Sequence, residues 1–381
     1  MKILTVDIGT GTQDIFLYDS RLDIENGYKL ILPSPTMMVR RKVQECTRRG
    51  EAIALHGLMM GGGPSHWAVE EHLRAGYPVY ATPAAARSFN DDLEMVRQMG
   101  IQLLSDDEIQ ALPATVRRIE MKDFDFPAIE AAFRLFGVEL TDLCAVAVAV
   151  FDHGDAPPSV FDRQFRFEYL DQRLRAENRL SAFAYLSDRI PPILTRLRAV
   201  AASAQGLDVP LVVMDTAPAA VLGALFDPMV ARRRPLLIAN VGNFHTLAFR
   251  IGEKGIEGLF EHHTGFLDLQ KLENLLIRLA EGSLRHAEVF EDMGHGALVY
   301  EGHPIDLSTG DFGVAVTGPR RKMMKRSKLR PYFAAPFGDM MITGCFGLLA
   351  AVADRLPELA GPIYESLSGA SEREVAPWDV E

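Results

Sequence analysis

The sequence predicts an α/β protein made of two related domains that face each other across a cleft. Three observations carry this expectation. At 381 residues the chain is too long for one ordinary core, and at about 150 residues per domain it calls for two. Short apolar runs bounded by Gly and Asp alternate with stretches of helical periodicity. Asp7-Ile8-Gly9 is matched by Asn240-Val241-Gly242, 233 residues later, and each lies between two apolar runs. Similarity at so long a period points to two related half-molecules.

The first strand covers Lys2 to Val6, and Asp7-Ile8-Gly9-Thr10-Gly11-Thr12-Gln13-Asp14 turns the chain into a second, Ile15 to Tyr18, so the pair is a hairpin. Tyr28 to Leu32 adds a third strand. Helix and strand then alternate: Met37 to Arg49 helical, Ala52 to Leu55 strand, Ser65 to Ala75 helical, Val79 to Ala81 strand. Leu143 to Phe151, continuous and rich in Val and Ala, reads as a central strand buried on both faces. Pro191 to Ala202 reads as helix, Leu211 to Met214 as buried strand, and Thr216 to Phe226 carries Ala and Leu at helical spacing. The pattern restarts at Arg232-Arg233-Arg234-Pro235 with strand Leu236 to Ala239, a Gly-containing turn, and strand Leu247 to Ile251. A turn at Gly252 to Gly255 leads into a further strand. Helices are expected over Leu267 to Ala280 and from Cys345 to Leu356, and the tail after Gly369 is polar. The domains are expected at 1–230, with a large insertion, and 231–381, the last helix near 343–356 packing back toward the first.

Composition narrows the function. The chain is 48% hydrophobic and 24% charged, which excludes a disordered chain, a collagen or a coiled coil. Its longest apolar runs fall short of the roughly 18 residues of a spanning helix, and Asp7 would interrupt the apolar region of a signal peptide. A net charge of −11 argues against general nucleic-acid binding. Cys46, Cys144 and Cys345 lie 98 and 201 residues apart, which supports neither a disulfide framework nor a local iron–sulfur triplet. Three free thiols fit a reducing cytoplasm.

The two turns carry the chemistry. A Gly-rich turn can aim backbone N–H groups at a phosphate, because Gly lets the backbone come close. Thr10 and Thr12 add hydroxyl donors. Asp7, at the strand end, would place a carboxylate where it can hold Mg2+ directly or through water. Gly9 and Gly11 make no dinucleotide fingerprint, since no third Gly follows and the next element is a strand. No G-x-x-x-x-G-K-[ST] occurs, so the P-loop reading fails.

Asp7-Ile8-Gly9-Thr10-Gly11-Thr12 in a hairpin resembles the first phosphate loop of the actin-like ATPase superfamily, which includes sugar kinases, actin and heat-shock ATPases. Asn240-Val241-Gly242-Asn243-Phe244-His245-Thr246 resembles its second phosphate loop. Met214 to Ala224 is similar to the first connecting segment, Val316-Thr317-Gly318-Pro319 to the adenosine loop, and Gly338 to Ala351 to the second connecting helix. More narrowly, the whole chain resembles a prokaryotic family labelled pyruvate formate-lyase activating enzyme. That activity is radical chemistry needing a C-x-x-x-C-x-x-C motif, which this sequence lacks. The superfamily resemblance implies two actin-like (ribonuclease H-like) domains around ATP and Mg2+. Gly9, Thr10, Gly11, Thr12, Asn240, Gly242, Asn243, Thr246 and Gly318 would contact the nucleotide. Asp7 would support the metal, and Asp215 would position water or act as general base. The expected partners are a nucleotide and an acceptor of unknown identity. One departure stands out: the second loop of active members usually opens with Asp, and here it opens with Asn240. An amide supplies no charge for Mg2+ or for the attacking water. The alternative is therefore a non-catalytic member that binds a nucleotide or phosphorylated metabolite, or serves as a scaffold.

Other segments admit two readings each. Gly61-Gly62-Gly63, before Ser65 as a helix cap, suggests close approach to a ligand or another backbone, or else a flexible turn. His153, with Asp152 or Asp155, stands at the end of the central strand and could act as acid/base or bind metal; a loop with a capping Asp is the plainer reading. Glu261-His262-His263 places adjacent side chains on opposite faces, so both histidines should not share one ion. A third hypothesis is nonetheless a metal enzyme using His153 with His66 or His263, with His295 and His303 downstream. Arg320 to Arg330 holds seven basic residues; it is a phosphate clamp, a site for an acidic partner or RNA, or a solvated face whose Met323 and Met324 pack inward.

Overall fold

The amino-terminal hairpin is the start of a sheet that the chain builds twice. The computed structural model describes residues 1–157, 159–300, 303–369 and 377–380, and most of the polar tail after Gly369 lies outside them. Strands β1 (Lys2–Ile8), β2 (Thr12–Asp19) and β3 (Tyr28–Pro33) form an antiparallel meander. An inserted unit follows, with β4 (Ile53–Gly57), β5 (Val79–Ala81), β6 (Gln102–Leu103) and β7 (Arg117–Met121) in a parallel sheet of order β6-β5-β4-β7. The chain then returns to the first sheet through β8 (Leu143–Val150), β9 (Ala184–Leu186) and β10 (Leu211–Asp215), which gives the order β3-β2-β1-β8-β10-β9.

The second sheet repeats this plan. Its strands are β11 (Leu236–Val241), β12 (His245–Gly252), β13 (Gly255–His263), β14 (Gly296–Val299), β15 (Val314–Thr317) and β16 (Pro331–Phe333), in the order β14-β13-β12-β11-β15-β16. In both sheets an antiparallel meander is extended by two strands parallel to its first. This is the actin-like, ribonuclease H-like α/β plan, present twice. The hairpins agree to the residue. Asp7 pairs with Asp14 and Ile8 with Gln13; Asn240 pairs with Leu247 and Val241 with Thr246. The Gly9 N–H donates to Thr12 O at 2.9 Å, and the Gly242 N–H donates to His245 O at 3.0 Å.

β8 is buried along nearly its whole length, as a central parallel strand covered on both faces should be. The helices that frame the sheets include α1 (Pro35–Arg49), α2 (Pro64–Arg74), α3 (Asp162–Ala176), α4 (Thr195–Ser203), α5 (Thr216–Ala224), α6 (Leu269–Glu281) and α7 (Thr343–Arg355). α4 begins later than its sequence suggests. Pro192 bars Pro191 from helical geometry, and the pair instead enters a turn closed by the Leu194 N–H on Pro191 O.

α7 is buried around its circumference from Thr343 to Ala353. Phe346, Leu349 and Ala353 join Ile3, Phe16, Val212 and Met214 in one core, so this late helix covers the first sheet. It crosses α5 backbone to backbone. A Cβ on Gly223 would fall 1.8 Å from Thr343 O, and one on Gly347 would fall 1.9 Å from Ala219 O. Only glycine permits that approach. Among the described residues no helix is long and apolar enough to cross a membrane.

Candidate functional site

The two turns meet. A Cβ on Gly11 of the first would lie 2.7 Å from Asn243 Nδ2 of the second. Around them opens a cleft of about 1000 Å3, lined by Gly9, Thr10, Gly11 and Thr12 from one half and Asn240, Gly242 and Asn243 from the other, with Gly318 at its edge. Helices α5 and α7 start at this cleft with Thr216 and with Thr343 and Gly344, and α2 approaches it through Gly63 and His66. The starts of α5, α7 and α2 therefore turn the positive ends of their dipoles toward it, a field that suits an anion.

Beside that field sit two acids. Asp7 Oδ1 accepts a 2.6 Å hydrogen bond from Thr216 Oγ1. Its other oxygen occupies the space left by Gly344, where a Cβ would come within 1.9 Å. Burial pushes the Asp7 carboxyl up to about 6, against the pull of Thr216 and with the help of Asp215. Asp14 faces Asp7 across the hairpin, and burial followed by the Asp7 charge pushes it up to about 8. Asp14 Oδ1 is buried without a hydrogen-bond partner. In the sequence Asp14 stands only as the last residue of the turn, with no role attached to it. The signal was available: in a hairpin closed between residues 9 and 12, residue 14 must stand opposite residue 7.

Asp215 and Thr246 lie behind the lining. Thr246 is buried, its hydroxyl 2.9 Å from that of Thr264. Asp215 caps α5 through the Ala217 N–H, and its second oxygen accepts from Arg166 Nη1 at 2.8 Å. Arg166, from α3, is itself buried. It also donates from Nε to Glu261 Oε2 at 2.7 Å and from Nη1 to Asp152 O at 2.8 Å. One guanidinium thus ties the first sheet to β13 of the second. Burial pushes Glu261 up to about 7 although Arg166 pulls it down. No sequence motif marks Arg166, whose partners lie 49 and 95 residues away.

Above this ion network is a cluster of imidazoles. His153 Nε2 and His295 Nε2 are 3.2 Å apart with rings stacked, and the His245 ring centroid is 4.9 Å from that of His295. His263 lies against His295, with centroids 4.6 Å apart. Phe151 stacks on His245 at 4.1 Å and carries Arg166 at 4.0 Å; two groups so close to one ring must take opposite faces. Burial, then the neighbouring cations, pushes His153 down to about 3. His263 is pushed down to about 4, and His245 and His295 fall well below the ordinary imidazole value. At each ring the shift favours the neutral imidazole. His262 points the other way, to Asp292 at 3.3 Å, as strand alternation requires. His66 lines the cleft and reaches Glu70 at 3.4 Å.

A protein-family model matches residues 60–323, under the description "Putative pyruvate format-lyase activating enzyme (DUF1786)". The chain belongs to this family. The matched span contains the second turn, Arg166 and all four clustered histidines, and it excludes Asp7 and Asp14. No curated protein matches the sequence. Among solved structures, the activator of 2-hydroxyisocaproyl-CoA dehydratase from Clostridium difficile, with bound ADPNP, is 10% identical over 99% of each chain, with a TM-score of 0.34. An exopolyphosphatase-like protein is 11% identical over 83% of this chain and 65% of its own, with a TM-score of 0.22. A carbohydrate kinase from Novosphingobium aromaticivorans is 12% identical over 96% and 91%, with a TM-score of 0.24. The domain plan of this family member rests on its strand order.

Two further features of this DUF1786 protein have structural explanations. In the triple-glycine loop a Cβ on Gly61 would meet Arg196 Nη2 at 2.4 Å, and one on Gly62 would meet Ser88 O at 2.7 Å. Arg196 pairs with Asp123 at 2.7 Å, and the Gly61 N–H donates to the same carboxylate at 3.2 Å. The glycines therefore permit a close approach while Gly61, Gly62 and Gly63 also line the cleft. The basic segment 320–330 lies off the cleft. Met324 is buried in the second core, and Arg330 Nη1 donates to Ser308 O at 2.6 Å.

Proposed function

We propose that the cleft binds ATP with Mg2+ and that the protein is an ATPase or a phosphotransferase whose acceptor is undefined. The observation that carries this reading is the contact between Gly11 and Asn243, which brings two equivalently hydrogen-bonded turns from the two halves to one anion-favouring space. The backbone of Gly9 to Thr12 and of Gly242 and Asn243 would hold the phosphates, with Gly318 near the nucleoside. The donor set beside them fits Mg2+: Asp7 and Asp14 offer carboxylate oxygens, and Asp14 Oδ1 is buried with its bonding capacity unused. When bound there, Mg2+ would neutralise phosphate charge as transfer proceeds. Thr216 would orient Asp7. Asp215 would act as positioning residue or general base only after loosening from Arg166. Isothermal titration with ATP and Mg2+ tests the reading. Saturable heat in the micromolar to millimolar range is expected, and none at millimolar nucleotide overturns it.

Asn240 and the engagement of Asp215 with Arg166 favour a second reading, in which a nucleotide or phosphorylated metabolite is bound without rapid hydrolysis. Turnover of ATP by the wild-type protein at ordinary ATPase rates would reject it. The activating-enzyme description of the family fits poorly with these residues. Cys46 and Cys345 sit in different cores, and no C-x-x-x-C-x-x-C motif is present to hold a cluster.

A further inference from the structure

We propose that His153, His245 and His295 form a binding site for one divalent transition-metal ion of the Zn2+ class, set between the two halves of the molecule. One potential ligand atom from each lies within 4.8 Å of the others. The separation of His153 Nε2 and His295 Nε2, 3.2 Å, suits two ligands of one ion. Imidazole nitrogens bind Zn2+ at about 2.0–2.1 Å, and two such bonds with that separation enclose roughly 100°, close to the tetrahedral angle. Imidazole suits Zn2+, Fe2+, Ni2+ and Cu2+ far better than Mg2+ or Ca2+, so this site would not compete with the carboxylates of the first turn for the same ion.

The cluster has unused bonding capacity. His245 Nε2, His295 Nδ1 and Glu261 Oε1 are all buried without a hydrogen-bond partner. Polar atoms left so cost free energy. A cation held by the cluster would recover that cost at His245 Nε2 and at Glu261 Oε1, while His295 Nδ1, across the ring from the ligating Nε2, would stay outside its reach. Glu261 Oε1 lies 3.6 Å from His295 Nε2 and supplies negative charge beside the ion, while its other oxygen is held by Arg166. Because Glu261 stands on the side of the ligating nitrogen, it is placed to balance the charge of the ion directly and not to hold the other ring nitrogen. His153 and His245 also line the cleft, whereas His295 is fully buried. The ion would therefore be held from inside and reachable from the cleft, with a fourth position for water or an oxygen of the bound ligand.

The ligands come from both halves: His153 follows β8 of the first sheet, and His245 and His295 begin β12 and precede β14 of the second. Binding would clamp the halves together and stabilise the folded protein by linkage. The site does not depend on nucleotide binding, so it is tested without nucleotide. Protein purified without a His tag is dialysed against Zn2+ and then against buffer, and its metal content measured. One equivalent is expected, with a rise in melting temperature. Co2+ in its place is expected to give the visible absorption of four-coordinate cobalt. His153→Ala, His245→Ala and His295→Ala should each weaken Zn2+ binding by more than the roughly 10–100-fold cost of losing a supporting residue, and Glu261→Gln by about that range. Less than a tenth of an equivalent in wild type, or unchanged affinity in all three alanine variants, overturns the proposal. Should the variants fail to fold, the wild-type Co2+ spectrum decides: no such absorption overturns it, and the alternative is then a plain N–H···N contact between His153 and His295.

Discussion

Asp7 and Asp14 stand directly opposite each other on neighbouring strands of the first hairpin, and both are buried. Their folded-state values, about 6 and about 8, lie above the ordinary carboxylate value. The native state therefore holds protons that the unfolded chain has released. Their contribution to stability is complete below about pH 4 and is lost as pH rises through 6 and then 8. For the metal-free protein we expect Asp14→Asn to raise stability at pH 8 by on the order of a few kcal/mol and to flatten the pH dependence between pH 5 and 8. Urea unfolding across that range checks it. Because the ion must displace those protons, Mg2+ affinity should rise from pH 6 to pH 8.

Asp7 and Asn240 are equivalent positions that differ by one charge. Asp7→Asn should cost at least about tenfold in Mg2+-dependent ATP affinity, since it removes a carboxylate that lines the cleft beside the first turn. Asn240→Asp should raise ATP hydrolysis, by about tenfold or more if the missing acid limits the rate. Titration and a phosphate-release assay measure the two. An Asn240→Asp protein no faster than wild type would show that the amide is not what limits turnover.

The α5–α7 crossing leaves no room for a side chain at Gly223 or Gly347. Gly347→Ala gains helix propensity of about 1 kcal/mol but must push the backbone of Ala219 away. A net loss of roughly 1–3 kcal/mol is expected, typical of an overpacked core. Thermal unfolding reports it. Gly361, within the helix Ala360–Leu367 and with nothing for a Cβ to meet, is the control: Gly361→Ala should raise stability by up to about 1 kcal/mol.

Arg166 balances two buried carboxylates. Arg166→Met should cost about 3–5 kcal/mol, because Asp215 and Glu261 are left buried without a counter-charge. Adding Glu261→Gln should restore part of that loss. Denaturant titration of the single and double variants measures the coupling; additive effects would mean that Arg166 acts on Asp215 alone.

Local order in the chain was enough to find both turns, since a hairpin needs only a few neighbouring residues and glycine where the backbone doubles back. The repeat of Asp7-Ile8-Gly9 at Asn240-Val241-Gly242, the all-apolar β8 and the Ala-rich α5 were legible for the same reason: strand and helix periodicities are properties of contiguous residues. From Asp7 and the Thr-rich turn an anion and cation site could be argued directly. What remained hidden were relations across long separations. His153 reaches His295 over 142 residues, Arg166 reaches Glu261 over 95, and α5 meets α7 over more than a hundred. None of these has a spacing to read, because the partners are chosen by which strands pair and which helices cross. Burial decided the rest: whether Asp14 is a solvated turn residue or a strained acid depends on the helix that covers it, and only the folded chain supplies that helix.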